Sequence, residues 1–182
     1  MTRYLALLRG INVGGRHRVP MADLRATCEA GGYSSVRTFI QSGNVLLATD
    51  APAATLEGDL EALLERRFGF GVPVVVRSLR QLRRVVSEAP QGFGGEPQRF
   101  HSDVIFLKAP LTSRRVMEVV TLRDGVDQAW PGPGAVYFAR LTERRTESRM
   151  NRITGTPEYQ QMTIRTWSTT TTLLGLLDAG PT

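Results

Sequence analysis

The order in which short apolar runs and amphipathic stretches follow one another constrains this chain more than any other feature. Residues 3–8 are apolar, too few for a stable helix, and close at Gly10, so they read as a buried strand. After a glycine-rich loop, Pro20 suits a first helical turn. Met21, Leu24 and Cys28 then recur at helical spacing until Gly31 and Gly32 stop the run. Two strands, 36–40 and 45–48, flank Gln41, Ser42, Gly43 and Asn44, which is turn chemistry, and together they predict a hairpin. Asp50 and Pro52 open a second helix with Leu56, Leu60, Leu63, Leu64 and Phe68 on one face, and 72–76 is a fourth strand. Strand, helix, strand, strand, helix, strand is the order of the split βαβ, or ferredoxin-like, unit.

The order then repeats. Ser78 and Gln81 match a capping box for a connecting helix, and residues 88–102 are rich in Gly and Pro. A strand at 104–107 is followed by a helix opened by Thr112, and runs at 126–130 and 135–139 flank a Pro-Gly-Pro-Gly turn. A short helix at 147–153, a strand at 162–167 and a last helix at 173–177, capped by Ser168 or Thr169, complete the chain. The expectation is an α+β protein of two ferredoxin-like halves, with antiparallel or mixed sheets and a C-terminal helix. The divisions fall at 1–88, a linker at 89–102, and 103–182. Element order alone carries this duplication; no residue-level repeat supports it.

Composition narrows the setting. With 182 residues and 41% apolar content, the chain can bury one core or two small ones. A single cysteine excludes an internal disulfide. No apolar run approaches the roughly 20 residues that span a bilayer, and the opening YLALL is too short for a signal-peptide core, so a soluble cytoplasmic protein is expected. A net charge of +6 suits an anionic partner. The only lysine is Lys108, however, against 22 arginines, a lopsided usage that coding bias explains equally well.

Topology turns the opening loop into a candidate site. In this unit the loop after the first strand and the hairpin turn lie at the same end of the sheet. Arg9, Gly10, Asn12, Gly14 and Gly15 are therefore expected to meet Gln41, Ser42, Gly43 and Asn44. Glycines let backbone N–H groups turn toward a ligand, and a helix N-terminus favours negative charge. Arg9 can add a bidentate contact, and Asn12, Gln41, Ser42 and Asn44 supply directed polar groups. The spacing is neither that of a P-loop nor G-x-G-x-x-G. Taken singly, the glycines read as turn formers; as a convergent set they read as an anion site.

Other residues offer less. His17 and His101 lack neighbours at metal-ligand spacing, so no metal is expected. Cys28 reads as inert core, Ser42 lacks a nucleophile elbow, and Trp130 and Trp167 read as core. Asp103 and Asp127 are expected to be solvated or capping. The stripe Arg145, Arg149 and Arg152 and the cluster Arg80, Arg83 and Arg84 read as solvated, salt-bridged faces. No acid/base pair, catalytic residue or cofactor emerges.

ALLRGINVGG, then Met21, Leu24 and Gly32, then VRTFIQSGNV resemble the opening of a bacterial domain-of-unknown-function family, number sixteen ninety-seven. IRTWSTTTTLL, at 164–174, is similar to its closing segment, although Thr166 and Ser168 stand where that family usually has Asn. The resemblance implies a cytoplasmic bacterial α+β protein without an established activity. Three functions stay open. The leading one is binding of a small anionic, phosphorylated ligand. The second is nucleic-acid association through surface arginines. The third is an enzyme that draws catalytic groups from its ligand or backbone. An RNA-recognition sheet is disfavoured, because YLALL and NVLLA lack its aromatic pattern and are apolar on both faces. No membrane partner is expected, and the oligomeric state is not legible.

Overall fold

A computed structural model describes residues 1–180. Two compact units emerge: Met1–Leu82 together with residues from 173 onward, and Arg83–Thr172. Each contains one four-stranded sheet, and every strand pairing is antiparallel.

In unit 1 the elements are β1 (Thr2–Leu8), α1 (Met21–Ala30), β2 (Ser34–Phe39), β3 (Asn44–Thr49), α2 (Ala53–Phe68) and β4 (Val74–Ser78), with sheet order β2-β3-β1-β4. Tyr4, Ala6, Leu8, Val45, Leu47, Val74 and Val76 form one core with Leu24 and Cys28 of α1 and Leu56, Leu60 and Leu64 of α2. Burying each such aliphatic side chain contributes about 1.5–3 kcal/mol. The alternate residues Leu5, Leu7, Leu46 and Val75 are buried as well. α2 also protects an edge. Val74 and Val76 donate their N–H groups to Glu61 and Glu57, at 2.9 and 2.8 Å. One helical turn advances about 5.4 Å and two strand residues about 6.8 Å, so glutamates four apart match alternate edge amides.

Unit 2 begins within α3 (Leu79–Ser87). Its strands are β5 (Phe100–Leu107), β6 (Asp127–Gly132), β7 (Ala135–Leu141) and β8 (Met162–Thr166), in order β6-β7-β5-β8. β5 starts at Phe100, earlier than the apolar run suggests. The single regular crossover helix is α4 (Ser113–Val119), whose Thr112 cap accepts from Arg115 N at 3.2 Å. Where a short helix was expected at 147–153, three 3₁₀ turns cover Arg145–Glu147, Met150–Gly155 and Pro157–Gln161. They still supply Met150 and Ile153 to a core with Ile105, Leu107, Val116, Val136 and Phe138. On the opposite face Phe93 packs edge-on against Trp130, Tyr137 and Trp167, with centroids 5.1–6.0 Å apart, and so pins the Gly/Pro-rich segment.

The last helix, α5 (Trp167–Ala179), starts six residues before the expected position. Its cap is Thr166, which accepts from Thr169 N at 3.2 Å, not Ser168 or Thr169. At its far end Arg3 donates to the carbonyls of Leu177 and Asp178, at 2.8 and 2.7 Å, satisfying groups a helix C-terminus leaves unpaired. No helix among the described residues is long and apolar enough to cross a membrane.

Candidate functional site

The loop and the hairpin turn of unit 1 meet, as the element order requires. Leu8 N donates to Gly43 O at 2.8 Å where β1 and β3 separate. Asn12 then ties the two segments together. Its amide nitrogen donates to Val19 O at 2.9 Å and Gln41 O at 3.0 Å, and its side-chain oxygen accepts from Val19 N at 2.8 Å. Between these anchors the chain makes a small excursion closed by Asn12 N to His17 O, 3.1 Å, and Arg16 N to Val13 O, 3.1 Å. Ile11 and Val19 are buried beneath it, and His17 stacks on Phe70 at 4.4 Å. The loop is therefore a folded object with a polar clamp at its base.

The tip faces solvent. Val13, Gly14, Gly15, Arg16 and Arg18 are exposed, and Gly14 and Gly15 hold φ of 59° and 74°. Arg9 and Asn12 are half-buried, whereas Gly10, Gln41 and Ser42 are exposed. Asn44 is fully buried, its amide donating to Phe39 O at 2.9 Å and Ser42 Oγ at 3.0 Å, so its part is to shape the turn. Gly43 is the position where only glycine fits. Its φ is 81°, and a Cβ would lie 2.8 Å from both Leu8 Cβ and Ile11 Cδ1. α1 opens at Pro20 without a side-chain cap, so no side chain from that position covers the N–H groups of its first turn.

Chemistry that sequence reading passed over sits in unit 2. Asp103, expected to be solvated or capping, is buried and lies 3.2 Å from His101 Nε2 and 3.3 Å from Arg140 Nη2. Burial pushes its carboxyl up from the usual range, while His101 and Arg140 pull the other way. Asp127 does cap: its Oδ2 accepts from Arg123 N and Arg149 N, both at 2.9 Å. The signal for the first group was the His-x-Asp spacing on a strand, which puts both side chains on one face. Arg145, Arg149 and Arg152 fall on separate 3₁₀ turns or beside them and form no helical stripe. Cys28 is buried, and burial pushes its thiol up to about 11, which leaves it inert. Among the described residues no group of three or more His, Cys, Asp or Glu is placed to hold a metal ion.

Residues 1–137, which include both meeting segments, match the family described as "Protein of unknown function (DUF1697)". The chain belongs to this family. It is also similar to a solved structure, the conserved bacterial protein SP0830 from Streptococcus pneumoniae. That match has 26% identity and a TM-score of 0.85, over 97% of this chain and 98% of the other. No curated relative matches the chain.

Proposed function

We propose that this protein binds a small anionic, phosphorylated molecule at the loop end of unit 1, acting in the cytoplasm as a binding protein rather than an enzyme. Within that reading both units are ferredoxin-like halves. One observation carries it. Unit 2 closes the same end with five residues between β5 and α4 and two between β6 and β7, keeping the equivalent bond from Leu107 N to Gly134 O, 3.1 Å. Unit 1 uses twelve and four. Connecting the strands does not require the glycine- and arginine-rich excursion.

The roles follow from exposure. Backbone N–H groups at Gly10, Gly14 and Gly15, with the uncapped first turn of α1, face the anion. Arg9 adds a charge-assisted contact, and Gln41 and Ser42 donate from the turn. Asn12 and Asn44 hold the two segments in register. The nucleic-acid reading lacks a solvent-open sheet face in unit 1, where Leu5, Leu7, Val45 and Leu47 and their alternating partners Ala6, Leu8 and Leu46 are all buried.

Thermal denaturation with pyrophosphate and a nucleotide panel tests the proposal. A ligand at 100 times its dissociation constant stabilises by about 2.7 kcal/mol. Arg9→Ala removes much of that gain, and Arg83→Ala does not. Stabilisation by an oligonucleotide alone, falling with salt at a slope near −0.7 per phosphate contacted, would replace this reading with the nucleic-acid one. No response to either class would reduce the loop to turn chemistry.

A further inference from the structure

We infer that unit 2 carries a second, separate binding cleft, suited to a small molecule that joins an anionic end to an aromatic ring. The cleft has a volume of about 540 Å³, within the ordinary range for small-molecule sites, and is lined by Phe100, His101, Ser102, Trp167, Ser168 and Thr171, with Gly94 and Pro97 beside them. Three independent features point to a ligand.

The first is an orphaned hydroxyl. Ser102 is 7% exposed, and its Oγ has no hydrogen-bond partner among the described residues. Leaving a buried hydroxyl unpaired is unfavourable; the Ser102 Oγ is closed off as it stands, and rotation about its χ1 would bring it to an acceptor atom seated against the cleft floor. The second is the start of α5, a thirteen-residue helix. Trp167 and Ser168, its first two residues, line the same cleft, so the positive end of its dipole is turned to whatever sits there. The Ser168 side chain is exposed. His101 also lines the cleft, and its Nε2 lies 3.2 Å from the Asp103 carboxylate.

The third feature is aromatic. Trp167 is half-buried, fixed on one side by Phe93 at 5.1 Å, and Phe100 lines the cleft with it. Gly94 is required for that arrangement, because a Cβ there would collide with the Trp167 ring. A held indole beside a helix start and an unpaired hydroxyl suits a ring on one end of a ligand and a carboxylate or phosphate on the other.

The test is titration of the full chain with phenyl phosphate, using inorganic phosphate and benzyl alcohol as half-ligands, followed by tryptophan fluorescence and ¹H–¹⁵N spectra. Phenyl phosphate is expected to shift the Trp167 indole and the 168–171 amides and to bind about tenfold or more tightly than either half-ligand. Ser102→Ala and Ser168→Ala should each weaken binding roughly five- to tenfold, a loss of about one hydrogen bond. Ser102→Ala should leave the unfolding midpoint unchanged or raised, since its hydroxyl has no partner to lose. Should that variant misfold, Ser168→Ala is decisive alone. Arg9→Ala should have no effect. Undiminished binding in the serine variants, shifts confined to the loop at 10–15, or no saturable response by about 10 mM would each overturn the proposal.

Discussion

β1 and β5 hold the same place in their sheets, yet the chain leaves them differently. After β5 it reaches α4 in five residues and caps that helix with Thr112. After β1 it takes twelve, folds them around Asn12, and starts α1 with no side-chain cap. Matching bonds persist at the base: Leu8 N to Gly43 O and Leu107 N to Gly134 O, then Arg9 N to Pro73 O and Lys108 N to Gln161 O. The shared bonds are what the fold needs. What unit 1 adds above them is an exposed, cationic, glycine-bearing surface, and there we place the function. The difference reverses at the second crossover, where unit 1 has a sixteen-residue helix and unit 2 only 3₁₀ turns.

The sharpest way to break this comparison is at its clamp. Asn12→Ala removes three hydrogen bonds at about 1 kcal/mol each, so urea unfolding should show a loss near 3 kcal/mol. Thr112→Ala, its counterpart, should cost about 1 kcal/mol. Equal costs would mean the long loop is no more organised than the short one.

Alkaline pH should separate the units next. Burial raises the folded-state pKa of Cys28 in unit 1 to about 11 and of Tyr137 in unit 2 to about 12. A raised folded value contributes stability below the unfolded pKa and loses it as pH climbs to the folded one. Unit 1 therefore weakens from about pH 9 to 11, by roughly 3 kcal/mol. The Tyr137 contribution fades only between about 10 and 12. Both tryptophans, Trp130 and Trp167, lie in unit 2, so far-ultraviolet dichroism should change before tryptophan fluorescence. Cys28→Ala, though less stable at neutral pH, should bring the two signals together.

A smaller effect belongs to the edge strand. Glu57→Ala and Glu61→Ala each leave one β4 amide without its acceptor, and each should cost about 1 kcal/mol in the same unfolding measurement. Smallest of all, Arg16→Ala, at the exposed tip, should change stability by less than about 0.5 kcal/mol while weakening anion binding.

The alternation of strands and helices, the meeting of loop and turn, and the Leu56, Leu60, Leu64 stripe were legible because each rests on local periodicity or on element order. The start of α5 was not. Thr169, Thr170, Thr171 and Thr172 are poor helix formers on propensity, but the Thr170 and Thr171 hydroxyls donate back to the carbonyls of Thr166 and Trp167, at 3.0 and 3.2 Å. Nor was a local likeness between the units. β4 and β8 each carry a buried arginine one residue before the strand ends, Arg77 and Arg165, whose Nη1 donates to the preceding carbonyl at 2.7 and 2.8 Å. A hydroxyl residue that caps the next helix follows each: Ser78 accepts from Gln81 N and Thr166 from Thr169 N, both at 3.2 Å. Two residues are too short a match to stand out in a sequence. The Asp103 contacts were hidden for another reason: Arg140 reaches it from a strand 37 positions away.

The central claim is that the loop end of unit 1 binds an anion and its counterpart in unit 2 does not. A titration of the isotope-labelled chain with pyrophosphate, followed amide by amide, tests it most directly. The account predicts saturable shifts at Gly10, Gly14, Gly15 and the first turn of α1, with none across Lys108 to Arg115. Equal shifts at both ends, or shifts at neither, would contradict it.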